Sequence, residues 1–346
     1  MRVSAVGTRP SAGNRARRAP VVVALCLATF VAVAGVAPAA TAARRPRTER
    51  STVSAVDTAF VNAAFHDLVS HGPSASSSSY WTGRLASGAT TRPALLSYLA
   101  GSPAAARASL IYLYFRILQR APDDASLASW TTRITSHHAT VDSVAKTFLA
   151  SNEFYQRVVG GSTSNWVNQL YWLVLEHGPT TAQSAHWVSL AGTQGLTVTA
   201  AQFYDSAGAR TRRVDLLYAR LLHRAPSGAS LAHWVDVERA GDAAVAVPLA
   251  ESAEYLTVAQ TRHDPRLTSP LTAVVHLGVW VSVPITPYTY LGPAAIGVVG
   301  VPPGLTSVVG TGLVGTPTHA GTFHTYVVVA DASDVVIDTV TVTELA

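Results

Sequence analysis

The chain has 346 residues, of which 48% are hydrophobic and 13% are charged. That length predicts about two or three domains, and this balance of residues excludes a wholly disordered chain. The formal net charge of +5 comes from residues 1–42, which contain five arginines and no acid. The rest of the chain has 20 basic and 20 acidic residues, so binding to nucleic acid through a broad basic surface is not expected.

Residues 1–42 have the three parts of a secretory signal peptide. Basic residues end at Arg17–Arg18, an apolar run follows over Val21–Val36, and Ala40–Ala42 matches the small-x-small pattern of a cleavage site. The apolar run is shorter than the ~20 residues that span a bilayer comfortably. We therefore expect cleavage and export; the alternative is an uncleaved anchor, which would be the chain's only contact with a membrane.

Cys26 is the only cysteine, and it lies inside this signal segment. The exported chain would therefore contain no disulfide and no thiolate metal site. Its stability must come from an apolar core, and roughly 300 residues can bury enough surface for one. Residues 43–56, which include four arginines, are predicted to form a flexible linker.

An aromatic residue, a proline and a tryptophan recur four times at fixed spacing. Each proline follows an aromatic residue by eight positions and precedes a tryptophan by eight. The aromatic residues are Phe65, Tyr114, Tyr171 and Tyr218; the prolines are Pro73, Pro122, Pro179 and Pro226; the tryptophans are Trp81, Trp130, Trp187 and Trp234. A period of about 50 residues predicts tandem repeats over approximately 57–108, 109–163, 164–212 and 213–263.

Each repeat is predicted to contain three helices. In the first, apolar residues recur at i, i+3, i+4, i+7 and i+8, as from Leu110 to Leu118, which places them on one face. The proline cannot donate the next helical hydrogen bond and closes this segment. In repeat 2, Asp123 or Asp124 is available to cap the second helix, and a third helix is expected from Thr140 to Arg157.

The four tryptophans fall in the apolar stripe of the second helix. We therefore expect them to pack in the core; the alternative is that they stack on sugars. Repeats 2 and 4 are the most similar, whereas repeats 1 and 3 share a His-Gly-Pro sequence. This alternation indicates a two-repeat unit that was duplicated.

Repeat 2 resembles a bacterial family catalogued as domain of unknown function 4214, which is similar to phycobilisome linker domains. The matching residues are Tyr114, Arg120, Pro122, Asp123, Leu127, Trp130, Phe148, Leu149, Ser151, Glu153 and Phe154. The resemblance extends over roughly 57–260, with repeat 4 matching well and repeats 1 and 3 degenerate. It implies no established enzymatic activity, and it implies an exported or surface protein that carries binding modules.

An arginine and a glutamate are retained or lost together in the repeats. Repeats 2 and 4 have Arg120 with Glu153 and Arg224 with Glu254. Repeats 1 and 3 have His71 and His177 at the arginine position and Ala104 and Gly208 at the glutamate position. Joint retention predicts the ion pairs Arg120–Glu153 and Arg224–Glu254; the alternative is inheritance by recent copies without any contact.

Residues 264–346 are rich in valine, threonine, glycine and proline. Strand-like runs over Ala273–Val283, Thr322–Ala330 and Val335–Val342 predict a small antiparallel β-sandwich. The segments Pro302–Leu305 and Gly312–Phe323 resemble a bacterial immunoglobulin-like, cadherin-like module. This resemblance implies a spacer or adhesive domain of a surface protein. The acids Asp331, Asp334 and Asp338 do not reproduce a cadherin calcium site.

The predicted fold class is multidomain α + β, an α-helical repeat array followed by an immunoglobulin-like β-sandwich. No nucleophile, metal or nucleotide motif occurs, so no catalytic residue, metal or cofactor is expected. We predict an exported, non-catalytic surface or extracellular binding or adhesion protein whose partner is a protein or a cell-surface glycan. The alternatives are a glycan-binding or cell-wall-binding accessory protein and a cell-wall hydrolase.

Overall fold

The computed structural model describes residues 54–289, 295–331 and 335–346. The predicted signal peptide and residues 43–53 of the predicted linker lie outside this set. Within it, helices occupy Ala55 to Thr261 and strands occupy Arg266 to Leu345, so a helical region is followed by a β-rich region. In the described ranges, no helix has the length and apolar character needed to cross a membrane.

The helical region consists of α-helices joined by short turns. The helices are α1 (Ala55–Val69), α2 (Ala75–Ala86), α3 (Arg92–Ala100), α4 (Pro103–Leu113), α5 (Asp124–Thr135), α6 (Val141–Leu149), α7 (Thr163–Leu170), α8 (Thr181–Tyr204), α9 (Ala207–Leu222), α10 (Gly228–Val237), α11 (Asp242–Glu251) and α12 (Ala253–Thr261). Single π-helical turns lie at Tyr114–Leu118, Phe154–Val158 and Tyr171–Leu175, and a 3-10 turn at Glu238–Ala240. Gly195, with φ 81° and ψ 164°, divides α8 into two helices.

The same turn follows the first helix in all four repeats. Three residues before each proline, the backbone is left-handed, at Ser70, Gln119, Glu176 and His223. The residue after each proline caps the second helix through its side chain; these caps are Ser74, Asp123, Thr180 and Ser227. Because proline fixes φ and the cap satisfies a free N–H group, the chain reverses direction in the same way each time.

The third helix of each repeat is shorter than the sequence predicts. In repeat 2, α6 ends at Leu149, and the side chain of Ser151 accepts a hydrogen bond from the Phe154 N–H at 3.1 Å, which starts a new short helix. A single helix from Thr140 to Arg157 is therefore wrong. Serines in the equivalent position cap α4, α9 and α12, namely Ser102, Ser206 and Ser252. Serine favours caps because its hydroxyl bonds to nearby backbone groups.

The four repeats form two units of two. The helix that Ser102 caps in repeat 1 continues as the first helix of repeat 2, and the helix that Ser206 caps does the same between repeats 3 and 4. Repeats 2 and 3 are instead separated at Gly160 and Gly161, whose φ angles are 72° and 71°. This break agrees with duplication of a two-repeat unit.

Each of two hydrophobic cores combines repeats from different units. Repeats 2 and 3 share one core, in which α6 packs against α8, and repeats 1 and 4 share the other, in which α3 packs against α11. The two pairings are equivalent when the two units are exchanged. The array therefore closes on itself instead of extending as an open superhelix.

Helices α1 and α12 complete this closure at the two ends of the helical region. The buried carboxylate of Asp67 accepts hydrogen bonds from the Tyr255 hydroxyl at 2.6 Å and from the Arg262 guanidinium at 2.7 Å. A buried carboxylate needs such partners because its desolvation is otherwise costly. The first and last helices are thus joined by both apolar and ionic contacts.

The β-rich region forms a sandwich of two main sheets. Its strands are β1 (Arg266–Leu267), β2 (Thr272–His276), β3 (Val281–Pro284), β4 (Pro287–Tyr288), β5 (Ala295–Val299), β6 (Leu305–Val308), β7 (Gly312–Gly315), β8 (Gly321–Ala330) and β9 (Val335–Leu345). The sheet orders are β2-β9-β8-β5 and β3-β7-β6, with β1 and β4 paired separately. The runs β3-β7-β6 and β5-β8-β9 match the B-E-D and C-F-G strand orders of an immunoglobulin sandwich.

Two details of the predicted sandwich are wrong. Strand β2 pairs with β9 in parallel, so the sandwich is not wholly antiparallel. The run Ala273–Val283 is not one strand, because a turn at Gly278, with φ 71°, separates β2 from β3. The alternating pattern of apolar residues identifies strands but does not indicate the direction of their neighbours.

Asp338 lies in a row of valines on β9, and the structure explains why an acid occurs at this position. Its carboxylate accepts a hydrogen bond from the Leu267 N–H at 3.0 Å, which holds β1 against the sheet. Burial raises the pKa of Asp338 above its ordinary value. The acid therefore joins the start of the sandwich to its last strand.

The sandwich is docked on the helical region through the outer face of its larger sheet. Alternate residues of β8 divide between two cores: Val327 and Val329 face the sandwich interior, whereas Tyr326 and Val328 pack with repeats 2 and 3. Gly297 lies so close to Phe115 that a Cβ atom there would be 2.3 Å from the ring. This contact requires a residue without a side chain.

We expect Gly297→Val to separate the two domains while each stays folded. The added side chain overlaps Phe115, and overpacking of this kind costs ~1–3 kcal/mol. Calorimetry should show one unfolding transition for the wild type and two for the variant. Thr306→Val, at an exposed position of β6, should keep the single transition, and a single unchanged transition in Gly297→Val would refute the coupling.

Candidate functional site

The four repeat tryptophans are only partly buried. Residues in the core, where they were predicted to lie, would be fully buried. Trp130 and Trp187 pack on the core of repeats 2 and 3, and Trp81 and Trp234 pack on the core of repeats 1 and 4. In repeat 4 the second helix, α10, has no fully buried residue. One side of each indole therefore meets the core.

Both predicted ion pairs are present. Arg120 donates to the two carboxylate oxygens of Glu153 from Nε at 2.6 Å and from Nη2 at 3.0 Å. Arg224 makes the same contacts to Glu254 at 2.5 and 2.8 Å. In each pair Nη1 also donates to the carbonyl of the next residue, at 2.9 and 3.0 Å. This bidentate arrangement fixes the guanidinium plane.

The fixed guanidinium covers the tyrosine of the first helix. Arg120 lies 4.9 Å from the Tyr114 ring centroid, and Arg224 lies 5.2 Å from that of Tyr218. A cation over an aromatic face is attracted by the ring quadrupole. In repeats 2 and 4 the arginine therefore lies over the ring of the tyrosine in the first helix, on the side where the glutamate lies.

Repeat 3 has no arginine at this place: His177 contacts the Tyr171 ring edge-to-face at 5.7 Å, and a pocket of about 380 Å³ opens beside it. We call it the aromatic pocket. His177 and Gly208 occupy the positions of the arginine and the glutamate, and both line the opening. A glycine leaves the space of the glutamate side chain empty: a Cβ atom at Gly208 would meet only Leu175, at 3.9 Å. The pocket thus lies where repeats 2 and 4 have the ion pair.

Three rings form the wall of the aromatic pocket. Phe203 lies between Tyr171 and Trp187, with centroid distances of 4.9 and 5.0 Å and edge-to-face geometry. Burial raises the pKa of the Tyr171 phenol, and the neighbouring Trp187 side chain opposes this shift. The hydroxyl therefore stays neutral.

Polar groups line the remainder of the aromatic pocket. The Gln183 side chain accepts a hydrogen bond from the Thr180 N–H at 2.9 Å, which fixes its position. Arg212 pairs with Glu176, the left-handed residue at the end of the first helix. Asp215 is the only acid among the described lining residues, and burial raises its pKa although Arg212 opposes this shift.

The most strongly shifted acids lie elsewhere, in a buried group between repeats 2, 3 and 4 that we call the polar junction. Its Arg213 donates from Nε to Glu238 at 2.6 Å and to Asp242 at 3.1 Å. Burial raises the pKa of both carboxyls, and that of Asp242 rises well above its ordinary value. The Tyr204 hydroxyl donates to Asp142 at 3.0 Å. One buried guanidinium thus faces two carboxyl groups whose titrations depend on each other.

The polar junction is closed to solvent. Arg213 is 6% exposed, Glu238 2% and Asp242 0%, so a substrate has no access and the group is structural. In the described ranges, no cluster of three or more histidine, cysteine, aspartate or glutamate side chains could hold a metal ion. The junction went unrecognised in the sequence because its members have no common spacing.

We expect Glu153→Gln to remove a pH-dependent part of the stability. The Arg120 hydrogen bond lowers the pKa of Glu153 below 4.5, so the ionised carboxylate favours the folded state above that pH. The contribution is lost as pH falls through the folded pKa. Since the side chains are 36% and 32% exposed, the difference should be ~1 kcal/mol or less.

Urea unfolding at about pH 7 and about pH 3 measures this difference. The gap between wild type and Glu153→Gln should shrink at the lower pH. Glu251→Gln, at an exposed position of α11, is the control. An equal gap at both pH values would contradict the ionic origin of the effect.

In the polar junction, we expect Arg213→Met to be far more damaging than Asp242→Asn. Loss of Arg213 leaves the buried Glu238 with only the more distant Arg210, at 4.0 Å, and breaking a buried ion pair costs ~3–5 kcal/mol. Burial raises the pKa of Asp242 well above its ordinary value, so its neutral amide analogue should cost less. Denaturant unfolding of both variants tests this order, and equal losses would contradict it.

The range of repeat 2 coincides with a match to a protein family. A family described as "Domain of unknown function (DUF4214)" matches residues 110–158, from the first helix to the short helix after Ser151. No curated protein matches the chain. Repeat 2 is therefore similar to this family over a range that contains Arg120, Trp130 and Glu153.

Proposed function

We propose that this chain is an exported, non-catalytic binding protein that binds a glycan in the aromatic pocket of repeat 3. We extend the family resemblance from repeat 2 to the other three repeats, and we assign residues 264–346 to the immunoglobulin-like modules of surface proteins. We propose that the protein acts at the cell surface or in the extracellular medium, where it would encounter glycans.

The open pocket at the place of the arginine–glutamate pair carries this proposal. In repeats 2 and 4 an arginine lies over the corresponding tyrosine, whereas in repeat 3 the pocket is lined by the half-buried Trp187 together with the buried rings of Tyr171 and Phe203. A sugar has an apolar C–H face that packs on aromatic rings and hydroxyl groups that require hydrogen-bond partners. The pocket offers both, because Gln183, Arg212 and Asp215 lie beside the rings.

The distribution of acids supports binding over hydrolysis. Cleavage of a glycosidic bond generally uses two carboxyl groups ~5–10 Å apart on either side of the bond. Among the described residues that line the aromatic pocket, Asp215 is the only acid. The other acids with raised pKa values in the helical region, Glu238 and Asp242, are buried in the polar junction.

We expect the double variant His177→Arg/Gly208→Glu to abolish glycan binding. These substitutions rebuild in repeat 3 the ion pair of repeats 2 and 4, and the new arginine should cover Tyr171. Because the backbone at Gly208 has room for a side chain, the melting temperature should stay equal or rise. Affinity should fall by about tenfold or more, or ~1.4 kcal/mol.

The purified wild-type protein is first tested on a glycan array and on cell-wall fractions, and calorimetry then measures the affinity of the bound glycan. The matched control is His71→Arg/Ala104→Glu, the same change in repeat 1, which should leave binding unchanged. The absence of glycan binding by the wild type, or equal binding by the variant in repeat 3, would refute the proposal.

A further inference from the structure

A second pocket of about 380 Å³ lies between repeats 1, 2 and 4. We call it the junction pocket. Its floor is formed by buried apolar residues, among them Ala105, Ala106 and Val141, and its rim by exposed residues such as Ser97 and His137. Aspartate, glutamate, lysine and arginine are absent from its described lining. It has a size typical of small-molecule sites.

The junction pocket and the polar junction occupy equivalent places in the two units. The pocket lies where the α3–α4 corner of repeat 1 meets the α5–α6 corner of repeat 2 and helix α11. The polar junction lies where the α8–α9 corner of repeat 3 meets the α10–α11 corner of repeat 4 and helix α6. When the two units are exchanged, the position of the junction pocket therefore corresponds to that of the polar junction.

Alignment on the shared serines and tryptophans pairs the residues of the two places. The pocket residues and their counterparts are Ala100 for Tyr204, Ser109 for Arg213, Ile134 for Glu238, Val141 for Asp242 and Ala243 for Asp142. Every bulky or charged group of the polar junction is replaced by a small or apolar one. The same helical frame is filled by side chains in one unit and left open in the other.

The occupied counterpart indicates the shape of the missing occupant. In the polar junction, the Tyr204 ring lies 4.2 Å from the Arg213 guanidinium, and its hydroxyl bonds to Asp142. At Ala100 that ring is absent. The pocket walls are apolar, so a charged ligand would lose its hydration without a partner, whereas the hydroxyls of Ser109 and Thr135 line the pocket and can bind one polar group.

We infer that the junction pocket binds a neutral, ring-bearing molecule with a hydroxyl group, of which phenols are the simplest class. The molecule occupies the volume that Tyr204 and Arg213 fill in the other unit, and its hydroxyl bonds to the serine and threonine side chains. An apolar cavity between packed helices accepts such rings because burial removes their apolar surface from water.

The probe is p-cresol, the side-chain analogue of tyrosine, added to the complete purified protein. Methyl NMR spectra should show saturable shifts at Ala105, Ala106, Ile134 and Val141, and the melting temperature should rise with ligand concentration. The charged analogue 4-methylbenzoate should bind about tenfold more weakly or worse. Equal binding of the two probes, or no saturable shift with p-cresol, would overturn the inference.

Ala244→Phe should fill the pocket and weaken p-cresol binding by about tenfold or more. The matched control is Ala253→Phe, at an exposed position of α12 outside the pocket. Ala100→Tyr, which restores the ring of the other unit, is the second pocket-filling variant if Ala244→Phe does not fold. Unchanged binding in a folded filling variant would overturn the inference. His177→Arg/Gly208→Glu should leave p-cresol binding intact, which separates this site from the aromatic pocket.

Discussion

The helical region depends on the packing of third helices from different repeat units. Helices α3 and α6 cannot bury their apolar faces within their own repeats, and each finds its partner, α11 or α8, in the other unit. This exchange joins four sequence repeats into two cores, so no single repeat contains a complete core. Loss of one repeat would therefore expose the apolar face of another that is distant in the chain.

Because the repeats share the same helices and turns, the same local structure can be filled by side chains in one repeat and left open in another. Where Arg120 and Arg224 pair with glutamates, the surface is covered and the ion pair supports the turn. Where His177 and Gly208 replace that pair, the same rings border an opening. The two halves differ in the same manner at a second place, where the buried charges around Arg213 correspond to small residues around Ser109. Both differences arise from side chains, since the caps and turns remain alike.

The sequence predicted features that depend on local spacing. The apolar positions of the first helix in repeat 2, from Leu110 to Leu118, are all buried, because helical period alone determines which residues share a face. The Arg–Glu pairs were predictable because four copies in one chain served as an internal comparison. Of the two predicted capping candidates, Asp123 and Asp124, the structure has Asp123 as the cap, since a cap needs only a short polar side chain at the right position.

Features that depend on which helix or strand packs against a given element were not predictable from the sequence. An apolar face at helical spacing does not indicate which helix covers it, so the closure of repeat 1 on repeat 4 was missed. The pocket in repeat 3 was missed because His177 and Gly208 were interpreted only as the loss of an ion pair and not as the opening of a space. The parallel pairing of β2 with β9 likewise depends on the course of the chain between strands.

The contact between α1 and α12 has a mechanical consequence. The polypeptide enters the helical region beside the point where it leaves, and Asp67 and Arg262 join the two ends. Tension applied between the start of the helical region and the sandwich would load this junction before it loads repeats 2 and 3. The force would thus act on a contact between two helices, and the half that contains the aromatic pocket would keep its shape.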